Sequence, residues 1–370
     1  EKELKELLDN LYMDDTVDML GEFPANLVTR ILDTVDSSKR DDINLLLNYP
    51  DDSAGSIMTT EYVALKKDMT VCDAMRHIKE VGIHKETIYT CYVLERRKLI
   101  GIVTAKDLMT MDDDTKIGDI METEIISVHT HTDQEEAARL FSKYDFLALP
   151  VLDADGLMVG IITVDDAIDV VVDEATEDMT VMAAVTPSEK SYFDTSVFAH
   201  AKNRFVWLLV LMFSATITGT IITRYENAFA AVPLLVSFIP MLMDTGGNCG
   251  SQSSTLIIRG LALDEIKFKD IFRVIFKEFR IALLVGIGLA IANGIRIFIM
   301  YKDLKMAIVI ALSLSLIVII AKIIGCTLPL FAKKLHMDPA IMASPLITTV
   351  VDTCSIMIYF SIATRVFTLS

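Results

Sequence analysis

The chain lacks the local signatures of enzymatic hydrolysis and nucleotide-driven pumping. It contains no HExxH, no GxSxG and no Walker loop, the patterns that place a zinc-bound water, an exposed nucleophile or a phosphate cradle. Its six histidines (His77, His84, His129, His131, His200, His336) are dispersed, and the close pair His129/His131 reads as loop or strand surface. Five cysteines stand without CxxC or Cys/His spacing, which excludes a disulfide framework and a zinc cluster. Glu1 to Asp9 are charged and hold no apolar core, so no secretory leader is expected there. Basic charge is scarce in the first 200 residues, with 18 Lys and Arg against 42 Asp and Glu. Phosphate backbones are bound by clustered cations, so nucleic acid is excluded as a partner.

The remaining 170 residues reverse this balance, with 16 basic against 9 acidic residues, and they supply most of the apolar content. The 370-residue chain, 52% hydrophobic with a net charge of −17, is therefore an acidic soluble module joined to a membrane domain. Near its start, Leu4, Leu7, Leu8 and Leu11, then Val28, Ile31, Leu32 and Val35, take helical spacing with Pro24 between them. Asp51, Asp52, Ser53 and Gly55 make a turn-rich link.

An internal repeat of about sixty residues follows. Met58-Thr-Thr-Glu-Tyr-Val-Ala-Leu65 is echoed by Met121-Glu-Thr-Glu-Ile-Ile-Ser-Val128. Each copy continues into a helical stretch (Val71–Val81, Asp133–Tyr144) and an apolar strand (Tyr89–Leu94, Leu147–Leu152). Each ends in strand–turn–helix: Gly101-Ile-Val-Thr-Ala-Lys-Asp107 and Gly160-Ile-Ile-Thr-Val-Asp-Asp166. The order predicts two β-α-β-β-α units and resembles a pair of CBS domains.

From Asn203 onward come five long apolar stretches, near 205–223, 228–243, 280–300, 306–331 and 341–364. About 20 helical residues cross a ~30 Å hydrocarbon core. Pro233 and Pro240 break or tilt the second stretch. Lys and Arg flanking these stretches favour five spans with the N-terminus in the cytosol and the C-terminus outside. Lys322, inside the fourth stretch, takes no part in that count.

Three constellations carry chemistry. Ser344, Thr348, Asp352 and Ser355 share one helix face, placing an acid near the middle of the last span. Bundle packing explains the hydroxyls, but an acid costs about 2.5–3.5 kcal/mol at a helix centre, so Asp352 reads as part of a cation pathway. Pro240-Met-Leu-Met-Asp244-Thr-Gly-Gly247-Asn248-Cys-Gly-Ser-Gln-Ser-Ser254 places Asp244 near the inner end of the second span. Its glycines and Asn allow a tight turn whose carbonyls suit a hard cation; an ordinary loop is the plain alternative. The third is Asp165–Asp178, with seven acids, in a stretch with no Lys or Arg between Lys143 and Lys190. On a helix, Asp165, Asp169, Asp173 and Glu177 stack at i, i+4, a spacing that repels like charges and calls for counter-ions. A merely solubilising acidic face is the plain alternative.

Gly246-Gly-Asn-Cys-Gly-Ser-Gln-Ser-Ser-Thr-Leu-Ile-Ile-Arg259, Asp338-Pro-Ala-Ile-Met-Ala-Ser-Pro-Leu-Ile-Thr-Thr-Val-Val-Asp352 and Tyr49-Pro-Asp-Asp-Ser-Ala-Gly55 closely resemble segments of the MgtE magnesium channels. The resemblance covers essentially the whole chain. It implies a multidomain architecture: a shortened all-α N domain over 1–53, a tandem α/β CBS pair over 54–175, a connecting plug helix over 176–202 and an all-α pore domain of five transmembrane helices over 203–370. It further implies a Mg²⁺-selective channel of a bacterial plasma membrane, working as a homodimer in the lipid bilayer. Asp352 matches the family's pore aspartate, with Thr348, Ser344, Asp244, Gly247 and Asn248 along the ion path. Glu135, Asp145, Asp166, Asp169, Glu174, Glu177, Asp178 and Asp338 match or neighbour regulatory Mg²⁺ positions. Thr104, Asp107, Thr163 and Asp166 suit the ribose of ATP or another adenine nucleotide; a purely structural CBS pair is the alternative, and Asp166 stands in both readings. This chain carries Ser344 and Ser251 where family members can carry amides, and Pro187 interrupts the expected plug helix. A coupled transporter of Co²⁺, Zn²⁺ or Mn²⁺ is the rival reading, prompted by Cys249 and Cys354, and a membrane-anchored CBS sensor is a third.

Overall fold

The computed structural model describes residues 11–368 apart from Glu22, Thr34, Glu189 and Lys190, in two compact units divided between Glu174 and Ala175. Leu4, Leu7 and Leu8 lie outside the described residues.

The first unit opens with three short helices, α1 (Met13–Gly21), α2 (Ala25–Leu32) and α3 (Ser37–Leu46). Met13, Val17 and Leu20 of α1, Ile31 of α2, and Ile43 and Leu46 of α3 form one apolar cluster with Val128, Phe141, Leu149, Val151 and Ile162 of the second repeat. The helical module therefore has no closed core of its own. Its apolar stripes are completed by the second repeat.

The two repeats have the expected element order. The first holds β1 (Ala64–Leu65), α4 (Val71–Val81), β2 (Thr90–Glu95), β3 (Lys98–Thr104) and α5 (Ala105–Thr110), followed by the short α6 (Ile117–Ile120). The second holds β4 (Val128–His129), α7 (Gln134–Tyr144), β5 (Ala148–Leu152), β6 (Met158–Thr163) and α8 (Val164–Met182). In each three-stranded sheet the first strand pairs parallel to the second and the second antiparallel to the third. The repeats exchange their leading segments: Thr59 bridges Ile161 of the second copy, and Glu122 bridges Ile102 of the first. This exchange explains the motif glycines. A Cβ on Gly160 would lie 2.7 Å from Met58 Sδ, and one on Gly101 would lie 2.5 Å from Met121 Sδ. The repeated Met and the repeated Gly are two halves of one crossed contact.

The connecting segment differs from the expectation. Instead of one helix over 176–202, α8 starts back at Val164 and ends at Met182, and helix resumes only at Val197. Ala184 adopts a left-handed φ of 55°, and Pro187 follows. A positive φ and a residue without N–H both stop an α-helix.

The second unit contains α9 (Val197–Thr223), α10 (Glu226–Ala231), α11 (Ile239–Ala262), α12 (Ile271–Tyr301), α13 (Leu304–Lys334) and α14 (Ser344–Phe367). Among the described residues, four helices are long and apolar enough to cross a membrane: Val197–Thr223, Phe268–Tyr301, Leu304–Lys334 and Pro339–Phe367. The second expected span is not one continuous helix. Residues 228–243 divide among α10, the 3-10 turn Pro233–Phe238 and the start of α11. Proline without an N–H ends one segment and opens the next. The 24-residue α11 is held in place by packing, with half of its residues buried, rather than by hydropathy. α13 is the central helix, with Ile310, Ile317, Val318, Ala321, Gly325 and Cys326 all buried. α9 is peripheral: Thr218 is its one buried residue among those described, joined to Thr353 of α14 by a 2.9 Å hydroxyl–hydroxyl bond.

Candidate ion path and acidic cluster

The glycine-rich stretch is not a turn. Gly246 to Ser254 lie inside α11, and their small side chains form its packing faces. A Cβ on Gly246 would stand 2.7 Å from Ile317 of α13 and 3.0 Å from Ser355 Oγ of α14. One on Gly250 would meet Ile347 at 2.8 Å and the Ala321 carbonyl at 3.2 Å, and one on Gly325 would lie 2.2 Å from the Gly250 carbonyl. Absent side chains let three backbones approach, as small residues do at transmembrane helix contacts. Turn formation and helix seam draw on the same residue types, and the tertiary neighbours select the seam.

This packing brings the two membrane motifs together as an antiparallel ladder. Ser251 Oγ lies 3.0 Å from Ser344 Oγ. One turn along, Gly247 faces Thr348, whose Cγ2 would be 2.9 Å from a glycine Cβ. Beyond that, Asp244 and Asp352 stand within electrostatic reach of each other. Asp244 and Asn248 are exposed on the protomer, Asp352 and Thr348 are half-buried, and Ser344 is exposed. Asp244 therefore lies near the start of α11, within electrostatic reach of Asp352. Ser355 turns away from this face into the Gly246 seam and is buried. Thr348 donates its hydroxyl hydrogen to the Pro345 carbonyl at 3.0 Å, so it can act toward a ligand only as an acceptor, through its oxygen lone pairs. The open side of α11 and α14 thus carries two carboxylates, an amide and hydroxyls. Hard oxygen donors of this kind suit a hydrated divalent cation, and hydrocarbon does not tolerate them.

The regulatory candidates are spread over several elements. Glu135 pairs with Arg139 within α7. Asp145 ends α7 in a left-handed conformation at φ 56°. Glu174 accepts a 2.8 Å bond from Gln134 Nε2. Asp169 lies on α8, as do Glu177 and Asp178. Asp338 caps the turn Pro339–Met342 by accepting from the Ala340 N–H at 2.7 Å. Among the described residues, no three His, Cys, Asp or Glu side chains of the single chain gather as a metal cluster.

Asp166 does gather acids around it, and the partners come from places the sequence did not single out. Burial, then the charge of Asp166, pushes the Asp14 carboxyl up to about 7. Burial also lifts Asp166 to about 6, against the lowering effect of its Thr163 hydrogen bond and with Asp165 and Asp18 adding to the rise. Glu86 rises to about 8 through burial, then Asp14, Asp166, Asp165 and Glu61. The N-terminal helix α1 and both repeats therefore contribute carboxylates to one region. The signal in the sequence was the i, i+4 pair Asp14/Asp18 beside the apolar Met13, Val17 and Leu20 of α1.

In the repeat motifs, Thr104 Oγ1 accepts from the Asp107 N–H at 3.2 Å, and the Asp107 carboxylate accepts from the Thr104 N–H at 3.0 Å. Thr163 likewise donates to Asp166. The Thr-x-x-Asp of the first repeat is thus a capping box that starts α5, while in the second repeat the same spacing joins Thr163 to Asp166 at the start of α8.

Comparison with known proteins matches three family models to successive stretches of the chain. The model of the MgtE divalent cation transporter matches residues 239–362, the CBS domain matches 54–113 and 117–173, and the MgtE intracellular N domain matches 1–52. The magnesium transporter MgtE of Bacillus subtilis is 40% identical over 352 residues, covering 95% of this chain and 78% of its own length. That of Thermus thermophilus is 38% identical over 356 residues, covering 95% and 79%. A crystal structure of the cytosolic domain of the Mg²⁺ channel MgtE in complex with ATP is 41% identical over 45% of this chain and 69% of that one, with a TM-score of 0.44. With membrane helices, tandem CBS units and N domain all matched, the chain belongs to the MgtE family of divalent cation transporters.

Proposed function

We propose that this protein conducts Mg²⁺ across a membrane along the open face of α11 and α14, and that cytosolic Mg²⁺ closes it. The observation that carries the reading is the ladder Ser251–Ser344, Gly247–Thr348, Asp244–Asp352. Relatives named magnesium transporters support the choice of ion. On this reading α11 is the fifth span, since 24 residues at ~1.5 Å each are long enough to cross the core. The N-terminus is cytosolic, and the C-terminus lies outside. A second copy places its own polar face opposite the first, so that the carboxylates surround one water-filled path. Asp352 holds the ion through its water shell, because Mg²⁺ dehydrates reluctantly.

Closure follows from the charge distribution. Asp165, Asp166, Asp169, Asp173, Glu174, Glu177 and Asp178 repel one another on α8, and Asp14, Asp18 and Glu86 add to the same field around Asp166. Mg²⁺ relieves that repulsion in the compact arrangement and so favours it over a splayed one, which is the differential affinity a gate requires. Adenine nucleotide at the CBS pair is a secondary part of the proposal, with Thr104 and Asp107 near the ribose.

The soft-metal alternative is weakened by Cys249, which is 6% exposed and packs in the apolar core of the second unit, away from the open face. The test is Mg²⁺ uptake by proteoliposomes carrying the parent or Asp352→Ala, with low Mg²⁺ on the cytosolic side. Removing the carboxylate should lower flux by about tenfold or more, equivalent to ~1.4 kcal/mol of lost ion stabilisation. Equal flux in both would place the path elsewhere.

A further inference from the structure

A buried charged trio in the second unit takes no part in the ladder. Ser253 of α11 is fully buried, Glu278 of α12 is 6% exposed and Lys322 of α13 is 5% exposed. Ser253 Oγ donates to Glu278 Oε2 at 2.6 Å and accepts from Lys322 Nζ at 3.1 Å, and the Lys322–Glu278 ion pair spans 3.7 Å. One hydroxyl thus uses its donor on the acid and a lone pair on the ammonium. Three helices meet at this point.

The position of the trio on α11 gives it a role. Gly246, Gly250 and Ser253 follow one another by four and three residues, so they lie on one helix face. Gly246 and Gly250 set how closely α11 approaches α13 and α14, and Lys322 directly follows Ala321, whose carbonyl faces Gly250. Small residues permit close approach but do not specify rotation, because a smooth seam can slide. A shared hydroxyl between opposite charges does specify it: turning α11 by one residue (about 100°, at 3.6 residues per turn) would carry Ser253 away and cost the buried Lys322–Glu278 pair the hydrogen bond each charge makes to its hydroxyl.

We infer that Lys322, Ser253 and Glu278 are positioning residues that fix the rotation of α11, and through it the alignment of Asp244 and Gly247 with Asp352 and Thr348. The inference rests on the ion path proposed above for its functional consequence, but its structural content can be read separately. Replacing a buried ion pair with apolar residues commonly leaves a fold intact. The double variant Lys322→Leu/Glu278→Leu therefore removes the specificity without stranding a charge.

The experiment has two readouts on the full chain in membranes. Rotation is read by introducing Ser251→Cys/Ser344→Cys and quantifying the 251–344 disulfide by mass spectrometry after mild oxidation. Function is read as Mg²⁺ uptake by the same trio variants without the introduced cysteines. The expected result is a several-fold drop in the 251–344 disulfide in Lys322→Leu/Glu278→Leu at parental abundance, with recovery in the exchanged pair Lys322→Glu/Glu278→Lys. Uptake should fall and recover in parallel. Parental disulfide yield in the Leu/Leu variant overturns the proposal, as does parental uptake in a variant whose disulfide is lost. Parental uptake by Asp352→Ala would instead remove the ion-path reading and leave the disulfide result to judge the rotation.

Discussion

At the scale of single residues, buried carboxylates make the first unit sensitive to pH. Asp14 at about 7 and Glu86 at about 8 are raised by burial and by neighbouring acids, from ordinary values of 3.8 and 4.5. Between those limits the folded unit holds protons that the unfolded chain has released. Stability must therefore fall as pH rises through the window, and the contribution present below about pH 4 is lost by pH 8. Thermal unfolding of the full chain in detergent with a chelator should show the transition of its first unit moving down between pH 5 and pH 8. Mg²⁺ should restore more of that stability at pH 8 than at pH 6, where part of the cluster is protonated. Asp14→Asn should flatten the pH dependence and reduce the Mg²⁺ effect; an unchanged profile would separate Asp14 from the cluster.

At the scale of elements, glycine spacing decides how helices meet. Gly325 of α13 and Gly250 of α11 approach so closely that a Cβ on Gly325 would lie 2.2 Å from the Gly250 carbonyl oxygen. Backbone gives way less readily than a side chain, so Gly325→Ala must separate the two helices. Overpacking of this kind costs about 1–3 kcal/mol. Lower thermal stability of the membrane domain and reduced Mg²⁺ uptake are expected together. Gly219→Ala on α9, where a Cβ meets nothing within 4 Å, is the control and should be neutral or mildly stabilising. The crossed contacts of the repeats follow the same logic, since Met58 and Met121 occupy the space a side chain on Gly160 or Gly101 would need.

At the scale of the whole molecule, the proposed closure joins the acidic first half to the apolar second half. If Mg²⁺ closes the channel through α8, the combined change Asp169→Asn/Glu177→Gln should leave uptake at low cytosolic Mg²⁺ near the parental rate. It should also raise the Mg²⁺ concentration needed for inhibition by several-fold. Parental inhibition in that variant would move the sensor off these two residues, with Asp14, Asp18 and Asp166 as the carboxylates to examine next.

Much of this protein was legible in one dimension because its signals are periodic or repeated. The two repeats and their order of elements follow from apolar runs and punctuating Gly and Thr, and Val71–Val81 is helical over the expected bounds. Asp352 stood out because an acid inside an apolar run has few explanations. Other features depended on neighbours distant in sequence. The run Gly246–Gly250 has the composition of a turn but forms helix, because α13 and α14 take up the space its missing side chains leave. α11 runs on to Ala262, past the apolar stretch that ends near residue 243, because buried glycine and serine contacts, invisible to hydropathy, hold it together. Asp14 and Glu86 looked like ordinary surface acids until folding buried them in whole or in part near Asp166. Lys322 was a misplaced cation in an apolar stretch until Ser253 and Glu278 closed around it. The sequence alone determined the repeated β-α-β-β-α units and the four long apolar helices, since those depend on local periodicity and transfer energy. Tertiary structure decided which polar groups share a site, because only packing sets distance and local dielectric.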